Sequence, residues 1–269
     1  MSQPSDHNNA ADELWRVFLT TGHSASERRQ KRFLALLPAH HRCKFCFAPF
    51  DGVGAPLVRI VFDKRPSHLN PNLCTVCENF ASKYQGGAEI ELSMLFVDVR
   101  GSTALAERMT AVEFSRLINR FYSAATDILI RTDAMIDKLV GDQVTGLYVP
   151  GLAGPAHAQR AIAAAQGIMR VTGHAEPGGP WVPLGAGVHT GTAYVGAVGS
   201  KDGMTDITVL GDAANTAARL SSSAGPGEIL ISQTAYTSAG LARGDLEMRT
   251  LALKGKSEPV AVHVLTHYS

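Results

Sequence analysis

Three short stretches place carboxylates, an amide and a guanidinium at spacings that could act on phosphorus. The first is Phe96-Val97-Asp98-Val99-Arg100-Gly101-Ser102-Thr103. Residues 90–97 are mostly apolar and β-branched or bulky, which predicts a buried strand. Gly101 permits a tight turn, and Ser102 and Thr103 are helix-capping types. A carboxylate then stands at a strand end beside backbone N–H groups open to an anion, an arrangement suited to a hard cation with a phosphate. A buried aspartate capping its own turn would leave the same trace. The second stretch carries Asp142 in Asp137-Lys138-Leu139-Val140-Gly141-Asp142-Gln143, between apolar runs at 134–140 and 144–149. Gly-Asp between such runs reads as a hairpin tip. Asp98 and Asp142 brought together could share one or two divalent ions for in-line attack at phosphorus. The third runs from Thr208 through Gly211 to Leu220 and reads as a strand, a glycine turn and an alanine-rich helix. Its Asn215 and Arg219 are four apart, hence on one helical face. An amide beside a guanidinium suits a ribose and a pentavalent phosphate, and equally a solvated polar surface.

The elements that must position these residues follow from pattern. A short helix runs to about residue 108. Thr110 with Glu113 forms a capping box for a long amphipathic helix ending near Arg131, its apolar positions recurring at three and four. A second amphipathic helix spans 156–171 and Gly173 ends it. Residues 184–190 and 192–198 read as a hairpin turned at Gly191. A strand at 228–231, a short helix from Gln233 and a terminal strand pair ending at 260–265 complete the region.

All four cysteines lie upstream, as Cys43-x-x-Cys46 and Cys74-x-x-Cys77. Paired C-x-x-C knuckles read as a metal site in a reducing compartment. Four thiolates suit a tetrahedral Zn²⁺ that staples a small module, or an iron–sulfur cluster. His40, His41 and His68 read as bystanders, since four thiolates complete a site. The intervening Gly52, Gly54, Pro56, Pro66 and Pro71 imply a loop-rich insert, with residues 57–62 as a strand inside it. Before it, residues 13–37 read as two helices, the second opened by a Ser24–Glu27 capping box and stopped at Pro38. The domain expectation is therefore a disordered 1–12, a helical and four-cysteine module at 13–80, a linker at 81–88 containing Gly86-Gly87, and a larger domain at 89–269.

The 269 residues are 45% hydrophobic, enough for one ordinary domain and a small one. A net charge of +1 gives no electrostatic case for nucleic acid or an anionic membrane. No apolar run approaches the ~20 residues of a spanning helix, and residues 1–11 lack the apolar core of a signal peptide. The expectation is a cytoplasmic protein with no membrane span and no nucleic-acid partner.

Taken in order, the three stretches resemble the catalytic domain of class III nucleotidyl cyclases, whose F-x-D-x-x-G-x-T, K-x-x-G-D and G-D-x-x-N-x-A-x-R-like segments match Phe96–Thr103, Lys138–Asp142 and Gly211–Arg219. The resemblance covers roughly residues 88–268. It implies an α+β fold: a ferredoxin-like antiparallel sheet with helices. It implies that Asp98, Asp142 and the Val99 carbonyl hold two Mg²⁺ or Mn²⁺ ions, and that backbone N–H groups from Val99 to Thr103, Gly101 and Ser102 included, cradle phosphates. Asn215 would orient the ribose, Arg219 would stabilise the α-phosphate in the transition state, and Lys254 or Lys256 would touch phosphate. Lys138 and Thr208 occupy the base-reading positions. Lys138 can donate to adenine N1, whereas guanine presents a protonated N1 there, and a threonine hydroxyl can accept from the adenine amino group. The resemblance thus implies an adenylate cyclase in signal transduction, making cyclic AMP and pyrophosphate from ATP at sites shared across a head-to-tail homodimer. Ala214 departs from the valine usual before the asparagine. The competing expectations are a catalytically silent nucleotide sensor and a metal-ribbon interaction protein.

Overall fold

The computed structural model describes residues 6–21, 25–39, 41–68, 70–199, 205–241, 246–256, 258–266 and 268. The chain divides into two compact units, one of residues 1–90, 150–152 and 193–210, the other of residues 91–149, 153–192 and 211–269.

In the first unit, helices α1 (Asp6–Thr20), α2 (Ala25–Leu36), α3 (Ala55–Phe62) and α4 (Thr75–Lys83) surround the cysteines. Trp15 and Leu19 of α1 are fully buried. The Trp15 ring packs edge-on against Phe80, and its Nε1 donates to the Tyr84 carbonyl at 2.7 Å. α1 takes in residues 6–12, which composition reads as disordered. The Ser24 half of the expected capping box lies outside the described residues, as does His40. Residues 57–62 form most of helix α3 and not a strand. Pro56 in the first turn presets the helical φ, Asp63 closes the helix in the left-handed region, and only Ala55 and Val58 are buried. α4 ends at Lys83 and strand β1 (Gly86–Val99) starts three residues later. Gly87 of β1 meets the far half of β4 (Leu184–Gly199), where a side chain on Gly87 would lie 2.5 Å from the Val195 carbonyl. β5 (Thr205–Leu210) pairs antiparallel with that half of β4.

The second unit is built on the rest of β1 and β4 with β2 (Met135–Val140), β3 (Gln143–Tyr148), β6 (Glu228–Ser232), β7 (Glu247–Leu251) and β8 (Val260–Leu265). The strand order is β2-β3-β1-β4-β6-β8-β7. Its described pairs are antiparallel except β4–β6, which is parallel. Residues 92–97 of β1 are buried on both faces, as a central strand requires. After the short α5 (Ser102–Arg108), α6 (Ala111–Arg131) starts at the expected Thr110–Glu113 capping box and packs on β2, β3 and α8 (His157–Val171). A four-residue turn of helix, α7 (Pro150–Ala153), precedes α8. α9 (Asp212–Ser223) packs on β6 over a core of Leu220, Ala224, Leu230, Leu253, Val262 and Val264, and α10 (Gln233–Ser238) packs on α8, β6 and β8. This is the expected α+β architecture.

The hairpin expected at Gly191 is absent: β4 runs unbroken for 16 residues. Gly191 is needed for space and not for a turn. A Cβ there would lie 3.0 Å from His189 Nε2 and 3.1 Å from Ala213 Cβ.

Candidate active site and four-cysteine centre

Asp98, the next-to-last residue of β1, pairs with Gln143, the first residue of β3. The backbone N–H of Val99 donates to the Asp142 carbonyl at 3.1 Å, so the hairpin tip is hydrogen-bonded to the strand end that carries Asp98. Gly141 takes a φ of +65° at that tip, and the Tyr122 hydroxyl of α6 donates to its carbonyl at 2.9 Å. The two carboxylates feel one another. Burial raises the Asp98 pKa, the Arg100 guanidinium lowers it, and the Asp142 charge raises it again, for a net rise. A half-buried carboxylate pair with this repulsion is a place where bound cations relieve charge.

In this structure a cation of the chain itself meets Asp98. Arg100 Nη2 lies 2.6 Å from Asp98 Oδ2, with the two side chains 17% and 16% exposed. The other arm of Arg100 donates to the Ser222 carbonyl at 3.0 Å and reaches the Ala224 carbonyl at 3.4 Å. Arg100 thus ties Asp98 to the C-terminal end of α9, where a cation is favoured. Sequence reasoning missed this residue. The available signal was its spacing, two residues after Asp98.

Gly101, with φ +68°, is the N-cap of α5, and no side chain caps the helix. Ser102 and Thr103 therefore do not serve as the caps their types suggest. The expected N–H cradle is also shorter than Val99 to Thr103: the Val99 N–H is bound to Asp142 and the Arg100 N–H to the Pro183 carbonyl at 2.8 Å. The N–H groups of Gly101, Ser102 and Thr103 are left as the candidate anion donors.

On α9, Asn215 is exposed and Arg219 half-buried one turn later. The helix starts at Gly211 with no side-chain cap. The turn after Leu253 closes over Arg219: a Cβ on Gly255, which has φ +74°, would lie 3.1 Å from an Arg219 guanidinium nitrogen. Lys254 is exposed, whereas Lys256 pairs with Asp212 and lowers its carboxyl pKa. Lys256 is therefore the lysine fixed beside the first turn of α9. Lys138 sits on β2 opposite Thr145, with its side chain outside what is described. Thr208 sits on β5 opposite Gly196. It is 7% exposed, and its Oγ1 has no hydrogen-bond partner among the described residues.

In the other unit the four cysteines converge as their spacing predicts, with all four sulfurs within 4.8 Å of one another. Cys46 and Cys74 sulfurs are 3.7 Å apart. The Cys43 carbonyl accepts from Phe47, whose φ of +62° turns the first knuckle. Cys74 is the N-cap of α4, which places Cys77 in its first turn. Lys64 Nζ lies 3.4 Å from the Cys46 sulfur. Burial pushes the Lys64 ammonium down, but the charges of Cys46, Cys77 and Cys74 outweigh it and hold its pKa above the ordinary lysine value. Burial raises the Cys43 thiol, while hydrogen bonding from Cys43 lowers Cys46. The quartet does not ionise evenly without a metal. His41 packs its ring on Phe50 and is no part of the cluster.

Comparison with known proteins agrees with this geometry. The adenylate and guanylate cyclase catalytic domain matches residues 87–266. An uncharacterised protein of Mycobacterium tuberculosis (strain H37Rv) is 30% identical over 199 residues, 72% of this chain and 36% of that one. An adenylate cyclase of Anabaena cylindrica is 32% identical over 135 residues, 48% of this chain and 26% of that one. The alignments therefore span about a third or less of these relatives. Among solved structures, the guanylyl cyclase Cya2 superposes with a TM-score of 0.60 at 27% identity, covering 67% of this chain and 93% of that one. The adenylyl cyclase CyaB from P. aeruginosa gives 0.57 at 28%, covering 66% and 95%. Among the described residues no helix is long and apolar enough to cross a membrane.

Proposed function

This chain belongs to the adenylate and guanylate cyclase catalytic domain family, and we propose that within it the chain is an adenylate cyclase, converting ATP to 3′,5′-cyclic AMP and pyrophosphate. The observation that carries a cyclising activity is the junction of Asp98 with the Asp142 hairpin tip. The solved relatives include both adenylyl and guanylyl cyclases, so base choice rests on residue chemistry. Lys138 is a donor only, which suits the N1 acceptor of adenine and opposes the N1–H of guanine. Thr208 supports this, since its hydroxyl has no hydrogen-bond partner among the described residues and could accept from the adenine amino group.

Asp98, Asp142 and the Val99 carbonyl would hold Mg²⁺ or Mn²⁺, which when bound lowers the pKa of the ribose 3′-hydroxyl and offsets the triphosphate charge. Asn215 orients the ribose so that its 3′-oxygen faces the α-phosphorus. Arg219 takes up charge on the α-phosphate as the P–O bond to pyrophosphate breaks. The N–H groups of Gly101 to Thr103, with Lys256 or Lys254, hold the phosphates that leave. The retention of Asp98, Asp142, Asn215 and Arg219 favours an enzyme over a silent nucleotide sensor.

The metal carboxylates and base-reading residues of one site come from two copies in a head-to-tail homodimer. The test mixes Asp98→Ala with Lys138→Ala protein, each inactive alone. Random pairing gives one intact site per heterodimer and about a quarter of wild-type turnover. No recovery on mixing refutes shared sites.

At the cysteines the reading is one Zn²⁺ and not a cluster. A tetrahedral ZnS₄ site has sulfurs about 3.8 Å apart. Thiolates on different irons of a cluster must spread further. The observed limit of 4.8 Å suits a single ion. Colourless protein with one zinc per chain is expected, and brown protein with iron and sulfide refutes it. The module's place directly before β1 suits control of the enzyme.

A further inference from the structure

Among the described residues β5 pairs with β4 along one edge and with no strand along the other. A six-residue edge strand presents unpaired N–H and C=O groups on its open side, and it frays unless something takes them up. Here the loops that carry the cysteines take them up. Lys44, between Cys43 and Cys46, donates from Nζ to the Ile207 carbonyl at 3.0 Å and pairs with the Asp206 carboxylate. Asn70, in the loop leading to Cys74, donates from Nδ2 to the Thr205 carbonyl and to Asp206 Oδ1, both at 3.1 Å. The same Asp206 oxygen accepts from the Ile207 N–H at 3.0 Å. Thr205 and Ile207 are two apart, so their carbonyls face one edge of the strand.

The two supports form one assembly. The Lys44 N–H donates to the Asn72 carbonyl at 2.9 Å, and the Asn72 N–H donates to Asn70 Oδ1 at 3.0 Å. The Cys74 N–H donates to the Cys43 sulfur at 3.3 Å. α4, which opens at Cys74, packs on β5 as well. The groups that grip β5 are thus fixed to the short loops that bring the four sulfurs together. Lys44 and Asn70 are both buried, where a charge-assisted contact holds more firmly than at the surface. Thr208 follows Ile207, and its hydroxyl has no hydrogen-bond partner among the described residues to orient it. Its aim is therefore set by the backbone of β5.

We propose that Lys44 and Asn70 are positioning residues for base recognition: they hold β5, and with it Thr208, to the four-cysteine module. The proposal rests on the reading of Thr208 as a base-contacting residue. It makes the module a structural part of the substrate site, so a change in the knuckles reaches the nucleotide through Asp206 and Ile207.

The test uses the full chain with its cysteine metal bound. Hydrogen exchange, followed peptide by peptide without nucleotide, reads β5 directly. Lys44→Met, Asn70→Ala and Asp206→Asn each speed exchange at residues 205–210 at least about tenfold and leave residues 228–232 and 260–265 unchanged. Lys44→Arg keeps the charge and a donor and stays near wild type. Asp206→Asn lies on β5 itself, so it carries the test even if a change in the knuckle disturbs the module, and bound metal per chain is counted in every variant. In the same three variants a non-cyclisable ATP analogue with Mn²⁺ binds about tenfold more weakly by calorimetry, and KM for ATP rises more than kcat falls. Unchanged exchange in β5, faster exchange with analogue affinity intact, or weakening confined to variants that have lost metal overturns the proposal and leaves the cyclase reading standing. Wild-type protein that binds no nucleotide overturns the cyclase reading and this proposal with it.

Discussion

Replacing Arg100 by Gln should expose how Asp98, the proposed metal carboxylate, is held in the absence of a metal. The side chain makes a largely buried pair with Asp98 at 2.6 Å and donates to Ser222 at 3.0 Å. Removing one partner of such a pair leaves an uncompensated carboxylate, which costs about 3 kcal/mol at the lower end of the usual range because 16–17% of each side chain still meets water. The lost carbonyl bond adds about 1 kcal/mol. The variant in buffer without magnesium or manganese should therefore be about 3–4 kcal/mol less stable, a fall of roughly 10 °C for a domain of this size. Saturating Mn²⁺ with a non-cyclisable ATP analogue restores a cation to Asp98, so the gap to wild type should close by at least about half. The assay is thermal unfolding of both proteins in both buffers. An equal fall with and without the ion, or no fall at all, refutes the idea that Arg100 occupies the cation's place on Asp98.

Other perturbations follow from the same geometry. Burial, with the Lys256 charge adding to it and Asp212 opposing it, lowers His189 from 6.5 to about 4. Its neutral form is the folded one, so its contribution is complete above pH 6.5 and is lost as pH falls toward 4, up to about 3 kcal/mol. His189→Gln should flatten the fall of Tm between pH 6.5 and 4, and an unchanged slope assigns that fall elsewhere. Gly196→Ala puts a Cβ within 2.5 Å of the Gly87 Cα, backbone against backbone, and should cost about 3 kcal/mol or more by chemical denaturation. Cys46→Ala should drop bound zinc to near zero per chain and make residues 1–90 the first region cut by protease; full zinc retention would mean that the quartet is not the metal site.

Much of this architecture was legible because its signals are local. The Thr110–Glu113 capping box, the 3.6-residue period of α6 and the Gly141 turn each depend on neighbours in sequence. The two C-x-x-C pairs were legible as a cluster because a short knuckle forces its two sulfurs together. The misreadings have two physical origins, a short run whose period is ambiguous and tertiary contacts that no local pattern shows. Residues 57–62 are apolar and β-branched enough for a strand, and a run of six cannot separate the two periods; Pro56 and the left-handed Asp63 set the helix. Gly191 resembled a turn, yet it serves the close approach of His189 and Ala213. The engagement of the Val99 and Arg100 N–H groups depends on Asp142 and Pro183, both more than 40 residues away in sequence. The same holds for Tyr122 and Gly141, which no spacing rule connects.

The measurement that tests the central reading most directly supplies the purified chain with Mn²⁺ and either ATP or GTP and identifies the products chromatographically. The account predicts cyclic AMP with release of pyrophosphate, at a rate at least about tenfold above any cyclic GMP formed from GTP, given a base pocket in which Lys138 opposes the guanine N1–H. Cyclic GMP formed as fast as cyclic AMP would contradict the assignment of Lys138 and Thr208. Nucleotide bound without either cyclic product would contradict the catalytic reading of Asp98 and Asp142.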